Sequence, residues 1–282
     1  NLKLSDKYEI EEVNNIQLHF QDKSHHKNEL ELKKNNNEYL ITGKSFNADQ
    51  LLTNLLKSSR NDKKEIFQKD FKLKINIKKI FLDQNNEINN LKGEVIFNNN
   101  AVTNLNLVSN FSNNQKITFT IRENNGEKIT TLFSGEAKPL VDRYKFIKGF
   151  SEGKLDFYSS KKDNASKSTL KIYDFKLKEL PALTKILTLA SLQGIADLLS
   201  GEGIRFNEFE MNFSNKGNLT TIDEIYAIGP AISILMEGYV EKDSLVSLRG
   251  TLVPATTINK AIGSIPLIGN ILVGKKVGEG VF

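Results

Sequence analysis

Few residues in this chain could combine to do chemistry. Gly269-Asn270-Ile271-Leu272-Val273-Gly274-Lys275 fits the first seven positions of a phosphate-binding loop. Such a loop next needs a Ser or Thr whose hydroxyl holds magnesium, and Lys276 stands there instead. It should also follow a strand, whereas Pro266 and an apolar turn precede it, so nucleotide binding is not expected. The histidines are His19, His25 and His26. Neighbours on a helix or strand point away from one another, so His25 and His26 cannot converge on one ion and read as a solvated loop. Glu208 and Glu210 alternate with Phe209 and Met211, which places both carboxylates on the wet side of a strand rather than in an acid–base dyad. Asp142 beside Arg143 offers a local ion pair of little energetic worth. There is no cysteine, which excludes disulfides, thiolate metal sites and cysteine nucleophiles. No nucleophile, base and orienting group can be assembled. No catalytic residue, cofactor or metal is assigned, and an enzyme is not expected.

The 282 residues carry 39 Lys and Arg against 34 Asp and Glu, a net charge of +5. A nucleic-acid site would gather those cations with aromatics on one surface. Here Lys72, Lys74, Lys78 and Lys79 line the polar side of one strand and acidic residues run throughout, so no nucleic-acid partner is expected. Weak attraction to anionic lipid headgroups is the secondary reading of the same charge. A chain that is 39% hydrophobic and 26% charged belongs with folded globular proteins. It contains no uncharged apolar run of the length that spans a bilayer as a helix, about 18 residues. The chain opens at Asn1 without an initiator Met and stops at Val281-Phe282 after a Gly-rich stretch, and it is expected to be a piece of a longer protein.

Strands must position whatever site exists. Phe71-Lys72-Leu73-Lys74-Ile75-Asn76-Ile77-Lys78 alternates apolar and polar residues, as a strand with one dry face requires. Ile117-Thr118-Phe119-Thr120-Ile121 and Ile129-Thr130-Thr131-Leu132-Phe133 repeat the rhythm, and Asn124-Asn125-Gly126 between them predicts a hairpin turn. Further strands are expected near Ser168–Leu177, Ile204–Phe213, Ala231–Val240 and Leu245–Val253, in a meander of hairpins. Short helices are expected over Ala48–Ser58 and Pro139–Lys148. The clearest helix is Pro181–Ser200, with Pro181 in its first turn and Gly201 as its cap. It is apolar around most of its circumference and must be covered. Ile258–Val273 is broken by Gly263, Pro266 and Gly269 and reads as helix, turn and helix. Asn divides the chain: 25 fall in residues 1–130 and 7 in residues 131–282. An Asn-rich β segment over 1–130 is therefore set apart from a second region over 131–282.

Many strands with one apolar face and few helices leave two outcomes open. The sheets bury against each other as a sandwich or barrel, or an open, curved sheet leaves a long apolar trough that a ligand must fill. Periodicity alone does not separate them.

Residues 179–282 resemble the AsmA-like C-terminal region of Gram-negative envelope proteins. The likeness runs from Glu179-Leu180-Pro181-Ala182-Leu183 through Leu189 to Ile204. It continues at Gly250-Thr251-Leu252-Val253-Pro254, at Ile262 to Leu272 and at Gly278-Glu279-Gly280-Val281-Phe282, in the alphaproteobacterial arrangement. Phe133-Ser134-Gly135-Glu136-Ala137-Lys138-Pro139-Leu140-Val141 and Gly149–Leu155 are similar to another segment of that family. Residues 1–130 share only their richness in strands.

The resemblance implies a mainly β fold: an open, curved antiparallel sheet forming an elongated hydrophobic groove of the repeating β-groove type, with a few short helices including the apolar one near 181–199. It implies a periplasmic portion of a protein anchored in the inner membrane by a segment outside this chain. It implies bridge-like, non-enzymatic phospholipid transfer between inner and outer membranes in support of outer-membrane biogenesis. The partners would be phospholipid acyl chains, met by groove-facing residues. By strand parity these are Phe71, Leu73, Ile75 and Ile77, then Ile117, Phe119 and Ile121, then Phe209, Met211 and Phe213. A closed core is the competing role for the same residues. Two other classes remain: an assembly factor binding outer-membrane proteins through β edges, and a hydrolase of envelope polymers, for which no acid–base pair is found.

Overall fold

The computed structural model describes residues 2–4, 10–57, 70–98, 101–143, 149–178, 201, 203–241 and 245–254. The helices expected over Pro181–Ser200 and within Ile258–Val273 lie outside the described residues, as does the phosphate-loop-like segment at 269–276. The chain divides into two compact units, Asn1–Ser134 and Gly135–Phe282.

In the first unit, β1 (Leu2–Leu4) and β2 (Ile10–Val13) form a small antiparallel pair. The main sheet runs through β3 (Asn15–Gln21), β4 (Lys27–Asn35), β5 (Glu38–Asn47), β6 (Phe71–Phe81), β7 (Glu87–Asn98), β8 (Ala101–Phe111), β9 (Lys116–Asn124) and β10 (Glu127–Ser134), each beside its sequence neighbour. Strands β3 and β10 do not pair with each other, so the sheet is open rather than a closed barrel. The expected meander is broken once: β5 and β6 are parallel. Parallel neighbours need a crossover, and α1 (Asp49–Lys57) lies within it. The Asn47 carboxamide oxygen accepts a hydrogen bond from the Asp49 backbone N–H at 3.0 Å, an Asx turn that leads into this helix. The β9–β10 turn is as the sequence predicts, with Asn125 at φ 51° and Gly126 at φ 75°.

Register shifts within the β4–β5 and β7–β8 pairings bend the sheet. At Gly93 in β7 (φ 153°) an added Cβ would stand 1.9 Å from the Asn106 carbonyl oxygen on β8, so only glycine allows this approach. Near Asn90 (φ 56°) strict alternation fails: Ile77 and Ile80, three apart, join one buried cluster with Ala48, Leu82, Ile88 and Phe111. Leu52 of α1 packs against that cluster, which makes it the dry end of the unit.

The second unit contains α2 (Lys138–Val141), then β11 (Phe150–Lys162), β12 (Ala165–Leu177), β13 (Ile204–Lys216), β14 (Leu219–Ile228), β15 (Ile232–Glu241) and β16 (Leu245–Pro254). All neighbouring pairs from β11 to β16 are antiparallel, and β11 does not pair with β16, so this sheet is open as well. Helix α2 is shorter than the expected Pro139–Lys148; residues 144–148 lie outside the described residues. Asp142 pairs with Lys138 at 2.6 Å, a turn earlier on the helix. Asp174 (φ 54°) on β12 plays the part of Asn90: Ile172 and Phe175, three apart, are both buried. Phe175 stacks between Phe150 and Phe206 at 5.3 and 5.2 Å, a dry end beside Ile204. Both units are mainly β, with open, bulge-bent sheets and two short helices among the described residues.

Candidate functional site

Register turns the alternation of single strands into continuous surfaces, because partners across a ladder point to the same face. In the first unit one row passes Ile16, Leu32, Ile41, Ile75, Gly93, Leu107, Phe119 and Leu132, one residue per strand from β3 to β10. A second row runs Tyr39, Leu73, Val95, Leu105 and Ile121. With strands about 4.8 Å apart, the first row is about 34 Å long. The expected residues Leu73, Ile75, Phe119 and Ile121 therefore lie on one apolar face. Phe71 stands at its margin, stacked on Phe97 at 4.6 Å and edge-on to Tyr39 at 5.4 Å. Ile117 lies opposite Ser109 and packs against the dry-end cluster.

In the second unit one row is Leu155, Ile172, Phe209, Ala227, Ile234 and Leu252. The next is Phe157, Leu170, Met211, Ile225, Met236 and Gly250, and Phe213 stands in a third with Ser168, Ile222, Gly238 and Leu248. Phe209, Met211 and Phe213 thus share this unit's apolar face. Parity on isolated strands did not name Val95, Leu105, Leu107, Leu155, Leu170 or Ile225. Alternation in Leu105-Asn106-Leu107 was a usable signal for β8, whereas Val95-Ile96-Phe97 hides it.

Burial grades these faces. Ile77 is 5% exposed and belongs to the dry end, and Val95, Leu105, Leu155, Ile172, Ile222 and Ala227 on these faces are buried too. Phe71, Leu73, Ile75, Ile117, Phe119, Ile121, Phe209, Met211 and Phe213 are half-buried. Residues at the centre of a compact core ordinarily lose nearly all contact with water. Leu18 and Phe20 on the β3 edge, and Leu248 and Leu252 on the β16 edge, are exposed outright.

The opposite faces are richer in polar residues and carry ion pairs between strands. On the first unit Lys72 meets Glu94, Lys74 meets Glu38 and Lys79 meets Glu87, at 2.7, 2.7 and 2.9 Å. His26 departs from the solvated-loop expectation: its ring stacks on Phe81 at 4.0 Å, and the adjoining Asp22 accepts a hydrogen bond from the Asn47 carboxamide at 2.6 Å. On the second unit Glu210 is not a freely wet residue either. Burial pushes its carboxyl up, but the Lys171 ammonium and donors from Tyr226 and Asn212 outweigh that and hold it below the usual carboxylate range. Burial, then the hydrogen bond to Glu210, pushes the Tyr226 phenol far above the ordinary tyrosine value. The Tyr226 hydroxyl lies 2.7 Å from Glu210 and 3.3 Å from Glu208, so the two carboxylates share one donor. This network is satisfied within itself and braces β12, β13 and β14.

Among the described residues no group of three or more His, Cys, Asp or Glu side chains could hold a metal ion, and no helix is long and apolar enough to cross a membrane. Comparison of the chain with protein-family models, curated proteins and solved structures finds no match.

Proposed function

We propose that the apolar faces bind phospholipid acyl chains, and that the chain serves non-enzymatic, bridge-like phospholipid transfer between inner and outer membranes. Its place in this reading is the periplasm, as part of a protein held to the inner membrane by a segment outside this chain. One observation supports it above others: in each unit a continuous apolar surface crosses every strand of the sheet, and although Val95, Leu105, Leu155, Ile172 and Ala227 on it are buried, Ile75, Phe119, Ile121, Phe209, Met211 and Phe213 stay half-buried. Keeping a phospholipid's roughly 30 methylenes from water is worth about 25 kcal/mol at about 0.8 kcal/mol each. A face some 34 Å long, with no polar break but Gly93 in its central row, meets that need with area rather than with a specific contact. Such a surface gives little headgroup or chain-length selectivity, which suits a conduit better than a receptor. The resemblance of residues 179–282 to AsmA-like proteins points the same way.

The test is site-specific photo-crosslinking from Leu132, the cross-strand partner of Phe119, in full-length chain purified from cells. Adducts of phospholipid mass support the proposal. Crosslinks confined to this chain's own residues contradict it.

The edges favour a second reading. Strand β16 pairs only with β15 among the described residues, and Leu245, Val246, Leu248 and Leu252 along it are exposed. An unpaired apolar edge can accept a strand from a client such as an outer-membrane protein. Recovery of the chain with a β-barrel client and without lipid would favour this assembly role.

A further inference from the structure

The polar face of the second unit is uneven. Away from the hairpin turns, Lys171 pairs with Glu210 and Lys176 with Glu152. At the end formed by the β11–β12, β13–β14 and β15–β16 hairpins that pattern stops. The outermost row there runs Lys162, Ala165, Lys216, Leu219, Glu241 and Leu245. The row behind it places Lys167 between Ser160 and Ser214 and ends on Tyr239 and Ser247. Lys162 and Lys216 flank Ala165 from either side, about 10 Å apart across two strand steps, with Lys167 on the same face one pleat further in. All three lysines are exposed, and none has an ion pair among the described residues. Among the described residues, Asp163 in the β11–β12 turn and Glu241 in the outer row are the acids nearby. Beside these cations Leu219, Leu245 and Tyr239 are 40%, 48% and 38% exposed.

Unpaired cations repel one another, and exposed leucines cost hydration, so the combination weakens the isolated unit. It suits one kind of environment. Anionic headgroups neutralise lysines within a Debye length, aliphatic side chains enter the acyl boundary, and tyrosine sits with its ring in the interface and its hydroxyl in water. We propose that this hairpin end is a docking edge for an anionic phospholipid bilayer, with Lys162, Lys167 and Lys216 meeting the headgroups and Leu219 and Leu245 entering between them. The inference goes beyond acyl-chain carriage and does not depend on it: the edge engages a bilayer surface whether or not the apolar face is loaded.

Co-flotation of the full chain with vesicles tests this. The wild type should bind phosphatidylglycerol–phosphatidylcholine vesicles, release them as salt is raised, and bind pure phosphatidylcholine weakly. A K162Q/K167Q/K216Q variant should lose about a hundredfold in affinity, at about fivefold per lysine. Leu219→Asn with Leu245→Asn should weaken binding without changing its salt dependence. A control replacing the exposed Lys23, Lys92 and Lys116 of the first unit with Gln should bind as the wild type does. Loss of binding in the control equal to that in the triple variant would show that net charge alone drives association and would overturn the proposal. So would a triple variant that binds like the wild type, or a wild type that ignores phosphatidylglycerol. Failure here with lipid still crosslinked at Leu132 would remove the docking edge alone.

Discussion

Replacing Phe119 with Asp separates a lipid-facing surface from a core. Phe119 is half-buried between Leu107 and Leu132, its partners on β8 and β10. Full burial of a phenylalanine is worth about 1.5–3 kcal/mol, so the half already withdrawn from water contributes about 1 kcal/mol. Aspartate in a strand costs about 1 kcal/mol more through poorer β propensity. The total, about 2 kcal/mol, lies within the 5–15 kcal/mol stability of ordinary domains. Thermal unfolding followed by circular dichroism should therefore show a folded protein with its midpoint lowered by about 8 °C, at roughly 4 °C per kcal/mol. The new carboxylate would lie against any bound acyl chain, so crosslinking of lipid from Leu132 should disappear. Ile80 is the internal standard at 4% exposed. Ile80→Asp combines a core deletion of about 2–5 kcal/mol with a buried carboxylate and should unfold the first unit. If Phe119→Asp unfolds the protein as Ile80→Asp does, the face is a closed core and the reasoning fails.

Phe209→Asp should repeat the pattern in the second unit, with a modest loss of stability and no lipid adducts in its neighbourhood. Gly93→Ala places a methyl 1.9 Å from the Asn106 carbonyl oxygen and should cost about 3 kcal/mol or more, seen as a drop in the urea midpoint. Glu210 has a lowered pKa in the folded state, so the stability it contributes is present above the unfolded carboxylate range and is lost as pH falls through the folded value. Lys171→Met should lower the urea midpoint at neutral pH and flatten its fall on acidification; an unchanged acid limb would count against the network. The Tyr226 phenol is raised, so its contribution is intact below the ordinary tyrosine range and is lost as pH rises beyond it. Tyr226→Phe should flatten that alkaline limb.

Much of the architecture was legible from alternation. Phe71 to Ile77, Ile117 to Ile121 and the Asn125-Gly126 turn each carry a period or a turn preference that a single strand or hairpin determines locally. The parallel β5–β6 pair was not legible, because alternation is the same whichever way the neighbouring strand runs. Nor were the switches at Asn90 and Asp174, where one residue with positive φ lets apolar residues three apart join the same dry end. The candidate face was half legible. Parity assigns Phe119 and Phe209 to a face, but only register shows that Leu107, Leu132, Ile172 and Ala227 complete it. Glu210 looked wet because the residues that cover it, Lys171 and Tyr226, arrive from two other strands.

The most direct measurement is native mass spectrometry of the full chain released from cell membranes without added lipid, followed by lipid identification. Acyl chains on the sheet faces predict phospholipids retained at several per chain, with mixed headgroups and chain lengths, and fewer retained by a Phe119→Asp, Phe209→Asp double variant that still folds. A folded, lipid-free wild type, or lipid retained equally by the double variant, would contradict the account.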